Sequence, residues 1–244
     1  MSVYALGDLH LSEAAQKPMD VFGAHWEHHQ QRIEIAWKET IEEGDLVLIP
    51  GDISWAMTLD EAAPDLAWIS GLPGTKVMIR GNHDYWWNGI GKVRAELKSG
   101  LYAIQNDAMA AHGYAVCGTR GWLLPSHPKF SPEDETIYRR EAQRLRLSLE
   151  KARELSLPIL AMLHYPPVGK LGEDTLFSNL LEEFGVSTCV YGHLHGPAHR
   201  FAVEGECRGV NYHLVSADFI QFQPLLIATG KNSSNERPES NENP

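Results

Sequence analysis

Two hydrophobic rhythms alternate along the chain. Short apolar runs rich in β-forming residues cover Val3 to Leu6, Leu46 to Pro50, Lys76 to Arg80, Pro158 to Leu163 and Thr188 to Tyr191. Between them, helical spacing predicts helices over Trp26 to Glu43, with Ile33, Ala36, Trp37 and Ile41 in phase, over Asp60 to Ser70, and over Pro132 to Leu155. Strand, helix, strand alternation predicts βαβ units and an α/β fold, whose ligands gather beyond the carboxyl ends of the strands. Tyr114 to Gly118 and Val210 to Ser216 alternate with period two, which suits a second sheet or the later half of a sandwich. Leu123 to Glu135, with three prolines, reads as a loop that can form a rim or lid. Polar, apolar-poor Gly230 to Pro244 reads as a disordered tail, leaving residues 1–229 as one domain.

Composition narrows the function. With 244 residues, 21 basic and 32 acidic side chains and a net charge of −11, the chain has no overall attraction for duplex nucleic acid or an anionic membrane. No apolar run reaches the roughly 20 residues needed to cross a bilayer. Three cysteines, Cys117, Cys189 and Cys207, lack CxxC spacing and suit reduced thiols. A strand starting at Met1 leaves no room for a cleaved leader, so a cytoplasmic location is expected.

Of twelve histidines, five fall in short turns at the ends of apolar runs: His10 in GDLH, His83 in GNHD, His164 in LHYPP, and His193 and His195 in GHLH. The remaining seven share no local pattern, and His25, His28 and His29 read as one solvated helical region. With Asp8, Asp52 and Asn82, the turn histidines make a set of carboxylate, amide and imidazole donors that suits manganese, iron, zinc or nickel. Those donors are too many for one tetrahedral ion and too poor in carboxylate for calcium, so two ions sharing a carboxylate is the economical reading, with Asp52 the natural bridge. Asp8 and His10 lie two apart and share a face if the chain stays extended there. Gly7, Gly51, Gly81 and Gly192 each precede a donor, where permissive dihedrals or space are needed.

These blocks, GDLH, GDIS, GNHD, the His164 turn and GHLH, occur in the order that marks the calcineurin-like metallophosphoesterases, and from Gly7 to His195 the chain resembles that family. Within it, GDISW and GNHDYWW look most like bacterial predicted phosphohydrolases. The resemblance implies a four-layer α/β/β/α sandwich with two divalent ions, manganese favoured, at the top of the sheets. Carried over residue by residue, Asp8, His10 and His195 hold the first metal, Asn82, His164 and His193 the second, and Asp52 bridges them. His83 faces the substrate as the catalytic group, and as an imidazole near two cations it is expected to titrate near neutral pH. The implied reaction is hydrolysis of a small soluble phosphate ester, diester or monoester, by in-line attack of an ion-activated water.

Other residues carry two readings each. Asp84 either raises the pKa of His83 or caps a helix beginning near Trp86. Arg120, in GTRGW, offers a guanidinium fork for substrate phosphate, although strand-end arginines commonly form surface ion pairs. Trp55, Tyr85, Trp86, Trp87, Trp122 and Tyr165 either line a substrate pocket or pack in the core. Arg139, Arg140, Arg144 and Arg146 suit an exposed charged helix. The rival functions are a nuclease on the same scaffold, disfavoured by the charge, and a non-catalytic scaffold, disfavoured by the complete donor set.

Overall fold

The apolar runs are unbroken because most of these strands are covered on both faces. In the computed structural model, which describes residues 1–15 and 17–229, β1 (Ser2–Ala5), β2 (Leu46–Ile49), β3 (Thr75–Met78) and β4 (Leu101–Ala103) run parallel. The last described strand, β11 (Leu225–Thr229), adds antiparallel to β1 and gives the order β11-β1-β2-β3-β4. A second sheet has the order β5-β6-β7-β8-β10-β9, built from β5 (Ala108–Ala111), β6 (Tyr114–Thr119), β7 (Ile159–Leu163), β8 (Thr188–Tyr191), β9 (Gly205–Cys207) and β10 (Val210–Leu214). The runs at 158–163 and 188–191 therefore belong with the period-two segments and not with β1 to β3.

Three apolar layers hold the sandwich together. Val3, Ala5, Leu46, Leu48 and Val77 from one sheet meet Val116, Leu160, Met162 and Val190 from the other. Strand neighbours with the opposite parity, Val47, Ile49 and Met78, face outward onto α1 (His29–Thr40) and α2 (Leu59–Ser70) through Ile33, Trp37, Leu66 and Ile69. On the far side Ala115, Cys117, Ala161 and Leu163 pack against α4 (Pro132–Glu154) and α5 (Leu176–Glu183) through Leu145, Leu149, Phe177 and Leu181. The result is the expected α/β fold, a four-layer α/β/β/α sandwich. A short helix, α3 (Ile90–Glu96), follows the GNHD turn. Thr58 caps α2 with Glu61 in a reciprocal capping box, which starts that helix one residue before the expected position.

Some expectations change. The first long helix starts at His29, because His28 is left-handed (φ 54°) and Ala24–Trp26 forms a separate single turn. His25, His28 and His29 are thus not one solvated region: His29 is half-buried and its Nε2 lies 3.3 Å from the carbonyl of His10. The segment from Leu123 is a loop only as far as Ser131, since Pro132 opens α4. The expected tail beyond residue 229 lies outside the described residues. Among the described residues no helix is long and apolar enough to cross a membrane.

Candidate metal centre

Hydrogen bonds between loops tie the strand ends together. Gly7 donates to the Val215 carbonyl at 2.7 Å and its own carbonyl accepts from Ala217, which joins the two sheets directly above β1 and β10. Asp8 and His10 donate their amides to Gly51 and Asp52 carbonyls, so the first two ligand-bearing loops lie side by side. Gly192 donates to the His164 carbonyl, and His164 to that of Arg120.

Asp8 and His10 are not extended, contrary to the same-face argument. Both are left-handed (φ 55° and 46°), as are Asp52 (51°) and His193 (73°). The loops turn at the candidate ligands themselves, which costs each of these non-glycine residues about 1–2 kcal/mol. Among the four preceding glycines only Gly51 has positive φ (91°). Gly81 and Gly192 are required for space: a Cβ at Gly81 would overlap Asp52, and one at Gly192 would overlap the carboxylate of Asp8.

Seven side chains converge in two linked groups. In the first, His10 Nε2 lies 3.4 Å from His195 Nε2, His195 Nε2 lies 3.7 Å from Asp8 Oδ1, and His10 Nε2 lies 3.9 Å from Asp52 Oδ2. In the second, Asn82 Oδ1 lies 2.6 Å from His164 Nε2 and 2.8 Å from His193 Nδ1, while His164 Nε2 lies 3.5 Å from Asp52 Oδ2. Asp52 touches both groups, and Asp8 also reaches His164 at 3.8 Å. Asp8, His10, Asp52 and His164 are buried.

The donor chemistry fits divalent cations. His164 Nδ1 lies 3.1 Å from the Pro50 carbonyl, which holds that nitrogen protonated and leaves Nε2 as a lone pair facing the cluster. His195 Nδ1 lies 2.8 Å from Asp218 Oδ1, with the same consequence for its Nε2. Ring nitrogens that face one another, as at His10 and His195, and again at His164 and His193 (3.3 Å), need a proton or a cation between them. Burial pushes the Asp8 carboxyl up to about 6, and burial with Asp84 and Asp8 nearby pushes Asp52 well above the carboxylate range. Burial likewise depresses His10 and His164, and brings His193 down to about 3. His195 alone among these imidazoles is raised, because the Asp218 and Asp8 carboxylates outweigh its burial. Burial thus keeps His10, His164 and His193 neutral, the form in which an imidazole can bind a cation.

His83 is half-buried beside this cluster, its ring 4.3 Å from Trp55 and 5.8 Å from His10, with Tyr85 Oη 3.4 Å from its Nδ1. Burial, with His195 and Lys17, lowers its pKa, so in the metal-free protein it does not titrate at its ordinary value. Asp84 performs neither expected task. Fully buried, it accepts from the amides of Ile53, Ser54 and Gly81 and from Trp86 Nε1, which clamps the Asp52 loop onto the Asn82 loop. Arg120 lies off the cluster, paired with buried Glu141 at 3.2 Å and stacked 4.5 Å from Trp122. Trp86 and Trp87 are core, whereas Trp55 stacks on His10 and Tyr165 on His193.

Sequence reasoning missed Asp218. Its carboxylate is buried, holds His195, and accepts from the Gly196 amide at 3.1 Å. The available signal was its place just past β10, a further strand carboxyl end. Two pockets flank the cluster. One, of about 280 Å³, is lined by His10, Trp26, Trp55, His83 and His195. The other, of about 390 Å³, is lined by Trp122, Tyr165, His193, Phe201, Lys170 and Arg200.

The family model of the calcineurin-like phosphoesterases matches residues 1–197. The chain belongs to that family. Membership places this calcineurin-like phosphoesterase among metal-dependent phosphoric ester hydrolases. Its fold is similar to that of phosphopantetheinyl hydrolase (PptH) from Mycobacterium tuberculosis, with a TM-score of 0.56 at 14% identity over 100% of this chain and 98% of the other. TT1561 of Thermus thermophilus gives 0.54 at 13% identity over 93% and 97%. Gene 66 protein of Mycobacterium phage L5 is 35% identical over 77 residues, which are 32% of this calcineurin-like phosphoesterase. The match spans 37% of the phage protein's length.

Proposed function

We propose that the protein hydrolyses a small phosphodiester at a centre of two divalent ions. Asp8, His10 and His195 hold one ion, Asn82, His164 and His193 the other, and Asp52 bridges them. The observation that carries this reading is the pair of linked donor groups whose imidazole nitrogens face each other across 3.3–3.4 Å. Manganese suits the mixed oxygen and nitrogen donors, with iron, zinc or nickel acceptable to the same set. When bound, the ions would supply Lewis acidity to phosphate oxygens and would lower the pKa of water.

The chain's own residues do the rest. His83, held between Trp55 and Tyr85, is the group that meets developing charge on the phosphate or protonates the leaving oxygen. The ring of Trp55 fixes its position and excludes water from one side. Pockets on both flanks of the cluster favour a diester, since each can take one substituent of the phosphorus. The apolar wall of Trp122, Tyr165 and Phe201 suits an aromatic or aliphatic group. A net charge of −11 weighs against a nuclease.

The test is turnover of bis-p-nitrophenyl phosphate and p-nitrophenyl phosphate by metal-stripped protein, before and after manganese is restored. Diester turnover should return with manganese and fall about 10²- to 10⁴-fold in His83→Ala at unchanged metal content. Two bound ions without turnover of either ester would overturn the hydrolytic reading, and a preference for the monoester would overturn the two-pocket argument.

A further inference from the structure

A third pocket, of about 150 Å³, opens where the carboxyl ends of β3 and β6 approach the side of α4. None of the seven proposed metal ligands lines it. Its charged wall consists of Arg80, Arg120 and Arg144 with Glu141, and Asn88, Gln105 and Asn106 supply amides. Three guanidiniums against one carboxylate leave a local charge of +2 on a chain whose net charge is −11.

That carboxylate is already occupied. Glu141 Oε1 accepts from Arg144 at 2.6 Å and from Arg120 at 3.2 Å, and its Oε2 accepts from Thr119 Oγ1 at 2.7 Å. Arg80 is half-buried and makes no ion pair and no side-chain hydrogen bond among the described residues. The buried Nε atoms of Arg80 and Arg120 both lack an acceptor, and Asn106 Oδ1 lacks a donor. Burying a cation without a partner is costly, and planar guanidinium forks match the oxygens of a tetrahedral oxyanion.

We propose that this pocket is a second anion site, built by Arg80, Arg120 and Arg144 for a compact phosphate-type oxyanion and separate from the metal centre. The ligand is either free phosphate or a phosphoryl group carried by a larger molecule. Arg80 stands two residues before Asn82, so the anion sits against the loop that carries Asn82 and His83.

Titration of the metal-stripped protein with inorganic phosphate, followed by calorimetry and by the thermal midpoint, tests the site without any activity. A failed phosphoesterase assay therefore leaves this result standing, and the reverse holds too. Wild type should bind one phosphate saturably, and Arg80→Met and Arg144→Met should each bind it about tenfold or more weakly. Arg139→Met, on the exposed face of α4, should match wild type. Without phosphate, Arg80→Met should melt no lower than wild type, because it removes a cation that has no partner. If Arg80→Met fails to fold, Arg144→Met carries the comparison. Absence of saturable binding to the wild type, or wild-type affinity in both pocket variants, would overturn the proposal. Phenyl phosphate separates the two sources: tighter binding than inorganic phosphate, lost in Arg80→Met, marks a carried phosphoryl group, and rejection of it beside retained phosphate binding marks a free anion.

Discussion

Replacing Asp218 by Asn tests how the first ion is held. The carboxylate is buried, 2.8 Å from His195 Nδ1, and its other oxygen accepts from Gly196 N at 3.1 Å. Asn keeps the shape and can still accept from His195, but it exchanges a charged acceptor for a neutral one. Hydrogen bonds to charged groups contribute about 1.5–3 kcal/mol and neutral ones about 0.5–1.5, so the exchange costs about 1–1.5 kcal/mol. That corresponds to about five- to twelvefold in affinity for the ion held by Asp8, His10 and His195. Asp218→Ala removes the acceptor altogether and frees the ring to change tautomer, so its loss should reach about 10- to 100-fold. Titration of metal-stripped protein with manganese, fitted with two sites, reads each affinity separately. The ion at Asn82, His164 and His193 should bind as in wild type. Equal weakening at both sites, or none in Asp218→Ala, would refute the assignment of Asp218 as the residue that orients His195.

Gly192→Ala should cost one ion or both, because the added methyl overlaps the Asp8 carboxylate, and metal analysis of the purified variant with two ions bound would contradict this. Acidification should weaken metal binding below pH 6. Asp8, pushed up to about 6, and Asp52 and His195, both raised, carry protons that an incoming cation must displace, at about tenfold per pH unit or more, whereas His193, pushed down to about 3, is already neutral. A manganese affinity unchanged from pH 7 to pH 5 would exclude that competition. Trp37 is fully buried in the outer core with its Nε1 on the Pro73 carbonyl, so Trp37→Ala should lose about 3–5 kcal/mol in denaturant unfolding.

Much of the architecture was legible because it follows local rules. LVLI and ILAML can only be strands buried on both faces, and the ordered turn blocks announced which side chains meet. What escaped was set by three-dimensional proximity. Short β4, β5 and β9 carry three or four residues each, too few to show a period, and β11 joins β1 from the far end of the described chain. Asp218 sits in a turn without a glycine or histidine marker and gains its role only when β10 lies beside β8. Arg120 carried two readings in the sequence, a phosphate fork or an ion pair, but its neighbours Arg80 and Arg144 come from the turn after β3 and from α4, and no spacing in the sequence relates them. The left-handed ligands reversed a simple rule. An i, i+2 pair shares a face only on an extended chain, and Asp8 and His10 converge by turning.

The antiparallel pairing of β11 with β1 bears on how a nascent chain acquires its centre. Synthesis delivers Asp8 first, His193 and His195 far later, and Asp218 and β11 last. Until Leu225–Thr229 emerges, β1 has an open edge beside its ligand-bearing loop, available to the wrong neighbour. The two sheets are also stitched at Gly7 by residues 215–217, beyond the stretch that the family model matches. A ribosome-tethered chain halted after residue 197 would hold all seven proposed ligands and neither the seam nor the carboxylate that steadies His195. On the proposed assignment, a chain halted there should hold an ion less tightly than one in which the last described strand has paired with β1.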